Sequence, residues 1–148
     1  MASKFYGKGL RKIVDRTIDW VGSANIKVML LNAHTFSPDH EFVSDVVADE
    51  FTGSGYTGGH NGAGRKALAS KAIADDTTND RIEMDAADPS AWTAINTDLI
   101  AWIVVFEQGA SDAASQLILI LDPADLQTNG SDVTLVFNAE GIAQISYA

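Results

Sequence analysis

The feature that most constrains this chain is Leu99-Ile-Ala-Trp-Ile-Val-Val-Phe106, eight apolar residues without a break. A strand with one wet face alternates apolar and polar residues, so an unbroken run implies burial on both faces. Asp98 precedes the run and Glu107-Gln-Gly109 stops it. It falls well short of the roughly 20 apolar residues needed to cross a bilayer. Its β-branched and aromatic side chains favour a strand over a buried helix. The run predicts the central strand of an antiparallel sheet on which the other segments are laid.

Those segments read the same way. In Ile26-Lys-Val-Met-Leu-Leu31, alternate residues form two largely apolar faces, and Gln116 to Asp122 is a second doubly apolar strand. Arg65 to Ala74 reads as a strand whose alanines would equally suit a helix. Asp75 to Asp80 is a polar turn, and Arg81 to Asp85 alternates and pairs back as the second arm of a hairpin. Val46 to Phe51 is an edge strand or the continuation of a short helical turn. Val133 to Phe137 and Ile142 to Tyr147, after the turns at Pro123-Ala-Asp125 and Thr128 to Ser131, complete an antiparallel meander. No helix of useful length separates these segments, which excludes a parallel βαβ sheet. The expected fold is all-β: one antiparallel β-sandwich domain over residues 1–148, jelly-roll-like or immunoglobulin-like, with a short N-terminal amphipathic helix. Trp20, Trp92 and Trp102 fall at or within apolar segments, so packing is their default role.

Charge is unevenly spread. Lys4, Lys8, Arg11, Lys12 and Arg16 supply half of the ten basic residues, and from residue 17 on five bases face nineteen acids, a balance of −14. Such a body repels phosphate backbones, so nucleic acid is not an expected partner. Leu10, Ile13, Val14 and Ile18 recur at helical spacing, so residues 1–24 read as a basic arm that docks on an acidic partner or as a helix capping the sandwich. Residues 52–66 hold half of the twelve glycines and read as a long exposed loop. No signal peptide or membrane span is recognised.

Motifs for chemistry are weak. Gly59-His-Asn-Gly-Ala-Gly-Arg-Lys66 imitates a phosphate loop but has Arg-Lys-Ala where that motif needs Lys followed by Ser or Thr. Ser54 between glycines lacks the spacing of a nucleophile elbow. His34, His40 and His60 fall in loops without a preformed ligand spacing and read as solvated. Asp49-Glu50 and Asp75-Asp76 do not match a calcium loop. Without cysteine, thiolate chemistry is closed. No catalytic residue, metal ligand or cofactor is expected. Phe36, Phe42, Phe51 and Tyr56 lie in or near loops, where aromatics suit a protein contact or plug the ends of the sandwich.

Several of these stretches together carry a resemblance. Lys8-Gly-Leu10, Thr17-Ile-Asp-Trp20, Ile26 to Leu31, His40-Glu-Phe42, Asp45-Val46 and Gly53-Ser-Gly-Tyr-Thr57 make up its first half. Trp102 to Phe106, Leu117 to Asp122, Asn129-Gly130, Val133 to Ala139 and Gly141-Ile142 make up its second. The pattern resembles a family of small tailed-bacteriophage virion proteins encoded among the head genes. The resemblance implies a non-enzymatic decoration or cement protein on the capsid surface, made in the host cytoplasm. Its implied partners are the major capsid protein or other virion proteins and further copies of itself. Head-fibre, neck and tail positions, or a carbohydrate-binding sandwich on the virion, are the alternatives. On this reading Lys8, Arg11, Lys12 and Arg16 supply charge pairing, and Phe36, Phe42 and Tyr56 supply apolar contact.

Overall fold

The computed structural model describes residues 2–147. In chain order the elements are β1 (Ala2–Phe5), α1 (Gly7–Val14), β2 (Ile26–Leu31), β3 (Lys66–Ala67), β4 (Ala69–Asp76) and β5 (Arg81–Ala87). They continue as β6 (Asn96–Ile100), β7 (Trp102–Glu107), β8 (Gln116–Asp122), β9 (Leu126–Asn129) and β10 (Ala143–Ser146). Short 3-10 turns lie at Val43–Asp45, Val47–Asp49 and Asp112–Ala114.

The unbroken apolar runs do meet one another. β7 is the middle strand of an antiparallel five-stranded sheet in the order β1-β8-β7-β2-β3. Both faces of this sheet are covered. On one, Ile26, Val28, Leu30, Ile103, Val105, Leu119 and Leu121 pack with Met84, Ala86 and Ala143 from a second sheet, β10-β5-β4. On the other, Met29, Leu31, Val104, Phe106, Leu117 and Ile120 are roofed by Tyr6, Val43 and Val46. Each aliphatic or Phe side chain so buried contributes about 1.5–3 kcal/mol, which is why β7 and β8 carry no polar alternation. Between β7 and β8 the register steps from Val105 opposite Leu119 to Phe106 opposite Leu117, leaving Ile118 as the extra residue of a bulge. The bulge sends Leu117 and Ile118 into different cores.

The all-β, antiparallel expectation holds, and so does the hairpin of β4 and β5. Three expectations are corrected. The 99–106 run is not one strand: it breaks at Ala101, whose amide donates to the Leu31 carbonyl, and β6 pairs with β9 in a separate two-stranded ladder. Residues 133–137 form no strand. Their one strand-like pairing is the bridge of Val133 to Trp92, although Leu135 is buried in the core and the Phe137 amide donates to Asp88, because the slot beside β8 that a meander would give them is filled by β1 from the other end of the chain. The last strand instead joins the second sheet, β10 against β5.

Candidate functional site

The N-terminal segment is built into the domain rather than left as an arm. After β1 the chain turns at Tyr6, whose amide donates to the Ile118 carbonyl at 3.0 Å, and α1 then runs across β8. Gly9 permits that approach, since a Cβ there would run into the Leu117 carbonyl and the Ile118 Cα. Arg16, in the left-handed region at φ 62°, follows the helix end. Residues 36–42 are sewn down beside α1. Gly7 donates to the Pro38 carbonyl at 3.0 Å, while the Leu117 amide and the Gln116 side chain donate to the Glu41 carbonyl at 2.9 and 2.7 Å.

This brings most of the expected contact residues to one face. Lys8 Nζ lies 2.6 Å from Glu41 Oε2. Lys12 hydrogen-bonds Gln116 Oε1 and sits 5.7 Å over the Phe42 ring. Phe36, half-buried, packs on Tyr6 with ring centroids 5.3 Å apart. Lys4, which the sequence reading left out of the contact set, stands 5.4 Å over Phe36 and 5.8 Å over Trp102. The hydrogen bond between Lys8 and Glu41 raises the ammonium above and holds the carboxyl below their ordinary values, so part of the expected charge is already spent inside the molecule. Arg11 keeps only a 3.7 Å approach to Asp15 and is exposed. Arg16 lines a hollow that includes neither Phe36 nor Phe42, beside Ile18, Trp20 and Ile73.

Tyr56 is not a contact residue, and residues 52–66 are not a free loop. Tyr56 is 9% exposed, edge-on to Phe51, and its hydroxyl donates to Glu50 Oε1 at 3.0 Å. Burial, and then the Glu50 charge, push its ionisation well up. Arg65 closes the loop from its far end. Its side chain is fully buried, with Nε 2.9 Å from Glu50 Oε1 and Nη2 2.8 Å from Glu50 Oε2. On its other side Nη1 and Nη2 reach Asp112 at 2.5 and 3.2 Å, and the guanidinium lies 5.6 Å over Phe106. Burial opposes the Arg65 charge, but the bonds to Glu50 and Asp112 outweigh it and hold the guanidinium above its ordinary value. The Gly59 amide also donates to Glu50 Oε2 at 2.9 Å. The glycine-rich stretch is thus tied to a charged knot, and it leads into β3 rather than into a phosphate-binding helix. The sequence signal for this knot is a pair of opposite charges, Glu50 and Arg65, bracketing the glycines.

The histidines are not simply solvated. The His34 side chain is only 3% exposed, its Nδ1 is 2.7 Å from Asp49 Oδ2, and its ring centroid lies 5.7 Å from that of His40. With Ala33, Thr35 and Asp45 these groups line an open hollow of about 420 Å³. Asp45 accepts the Phe42 and Glu41 amides at 2.9 and 2.8 Å, which keeps its carboxyl below the usual range. His60 lies elsewhere, 3.6 Å from Asp112. Among the described residues no group of three or more His, Cys, Asp or Glu side chains is placed to hold a metal ion.

A second exposed feature was not anticipated. β4 is paired on one side only, and Ile73 and Ile82 on its hairpin are 48% and 37% exposed, with Val21 beside Ile73 at 53%. The signal for it is the sequence of β4, whose alternations offer no consistently apolar face. Among the described residues no helix is long and apolar enough to cross a membrane. Comparison of the chain with protein-family models, with curated proteins and with solved structures finds no match.

Proposed function

We propose that this chain is a non-enzymatic structural protein of a tailed-phage particle, held on the capsid shell as a decoration or cement protein. The contact is the face formed by α1 and residues 36–42. The observation that supports this reading is the convergence of Lys4, Lys8, Lys12, Phe36, Phe42 and Trp102, distant in sequence, on one side of an otherwise acidic body. Ammonium groups seated over aromatic rings present charge and apolar area together, the mixture that recognises an acidic surface with apolar edges. The sequence resemblance described above points to the same role, and the rigid, doubly covered sheet beneath keeps the ordering cost of binding low.

Deleting the N-terminal residues would remove β1 from the sheet, so point substitutions make the cleaner test. The paired variant Lys4→Glu/Arg11→Glu, mixed with assembled shells that lack this protein, is expected to lose co-sedimentation. Lys27→Glu, on β2, is expected to keep it. Undiminished occupancy by the paired variant overturns the reading.

A further inference from the structure

We propose that β4 pairs edge to edge with β4 of a second copy of this chain, antiparallel, about a two-fold axis through Ile73. The argument starts from which backbone groups face outward. The Tyr147 amide donates to the Asp80 carbonyl and the Ile142 amide to the Met84 carbonyl, so Asp80, Ile82 and Met84 turn their polar groups toward β10. In an antiparallel pair, hydrogen-bonded and non-hydrogen-bonded positions alternate. Ile73 and Asp75, opposite Met84 and Ile82, therefore sit at non-hydrogen-bonded positions against β5. Their amides and carbonyls point to the open side of the sheet, where an added strand takes them up.

The side chains select the partner and the register. Ile73 and Asp75 share one face of β4 by alternation, and Lys71 continues that face directly after the bulge in the β4–β5 register between Ala69 and Ala72, where Ser70 takes a φ of 48°. With the two-fold axis at Ile73, Lys71 of each copy stands opposite Asp75 of the other, Ala72 opposite Ala74, and Ile73 opposite itself. Centring on Ala72 or Ala74 instead sets Ile73 against a charge. Centring on Lys71 or Asp75 sets like charges face to face, which is unfavourable. Only the Ile73 register satisfies both charges and covers the exposed isoleucine. The side chains are ready for it. The Asp75 carboxylate accepts the Tyr147 hydroxyl on Oδ1 at 2.7 Å, leaving Oδ2 free. Lys71 Nζ spends one of its three donors on the Leu68 carbonyl at 3.2 Å. The product is one continuous sheet, β10-β5-β4 joined to its two-fold copy.

A contact of this size falls in the about 1 μM–1 mM range of dissociation constants, readable by sedimentation velocity over a concentration series. The full chain is expected to shift from monomer to dimer. K71D and D75K are each expected to remain monomeric, since each faces its own kind across the axis. An equimolar mixture of the two is expected to restore a heterodimer, and the double variant K71D/D75K a homodimer. Because the chain has no cysteine, Ile73→Cys supplies a single thiol, with Cα atoms about 5.5 Å apart across the axis. A short bismaleimide is expected to cross-link it, and not Thr78→Cys at the hairpin tip. A parent chain monomeric up to about 1 mM, a dimer that survives K71D and D75K alike, or an Ile73→Cys chain that does not cross-link overturns the proposal. The test uses neither shells nor the α1 face, so its failure is distinct from failure of shell binding.

Discussion

Replacing Arg65 by alanine tests whether the knot at the end of the glycine-rich loop holds the fold. The side chain is fully buried and Glu50 is 5% exposed, so its removal strands a carboxylate out of water. The two bonds to Glu50, at 2.9 and 2.8 Å, and the two to Asp112 all disappear. Glu50 keeps only the Tyr56 hydroxyl and the Gly59 amide. Breaking a buried pair from one side costs about 3–5 kcal/mol. With a urea slope of about 2 kcal/mol/M, the unfolding midpoint moves down by about 2 M. Removing both charges together, as Glu50→Leu/Arg65→Met, costs less than the sum of the single changes, because no lone ion is left behind. Loop residues 52–64 should also exchange their amide hydrogens faster in Arg65→Ala, since the Glu50 carboxylate that holds Gly59 and Tyr56 is itself no longer fixed by the guanidinium. Lys8→Ala, whose ion pair is exposed, serves as the mild control. An Arg65→Ala cost below about 1 kcal/mol, the range of a surface pair, refutes the reasoning.

The two buried tyrosines should respond oppositely. The Tyr6 hydroxyl is buried without a partner, so Tyr6→Phe is expected to be neutral or stabilising by up to about 1 kcal/mol, whereas Tyr56→Phe deprives Glu50 of a donor and costs about 1–2 kcal/mol in urea unfolding. Gly9→Ala in α1 overpacks the helix against β8 and is expected to cost about 1–3 kcal/mol despite alanine's better helix propensity, as a drop in the thermal midpoint will show. Acid should also weaken the fold. Burial raises the Asp98 carboxyl, but the Thr52 and Leu99 amides outweigh it, and the Phe42 and Glu41 amides lower Asp45 likewise. Folded values below the unfolded one mean that this stability is complete above about pH 5 and lost as pH falls through the folded values, so urea midpoints should decline on acidification and decline less in Asp98→Asn.

The middle of the fold was legible because two-sided burial leaves a plain mark. Only a strand covered on both faces tolerates Trp102 to Phe106 or Leu117 to Leu121 without a polar residue. The β4–β5 hairpin was equally visible from the Asp75 to Asp80 turn. What escaped was decided by competition between distant segments. Ala2–Phe5 has no strand pattern of its own, yet it takes the edge of β8 and displaces Val133 to Phe137, whose apolar residues promised a strand. Arg65 reads as the start of a strand at the end of the glycines, because a buried cation shows in sequence only through its partners: Glu50 lies across the loop, and Asp112 is far away along the chain. The contact residues divided by the same logic. Phe36 and Phe42 remained on the α1 face, while Tyr56 was drawn into the core, where its hydroxyl found Glu50.

The claim that the α1 face meets the shell is tested most directly by lysine reactivity. Differential acetylation of Lys4, Lys8, Lys27, Lys66 and Lys71, read by mass spectrometry with and without assembled shells, reports which side of the molecule is covered. Lys4 and Lys8 are expected to lose reactivity on the particle while Lys27 and Lys66 keep theirs. Unchanged Lys4 and Lys8 on a shell that has bound the protein would contradict the account.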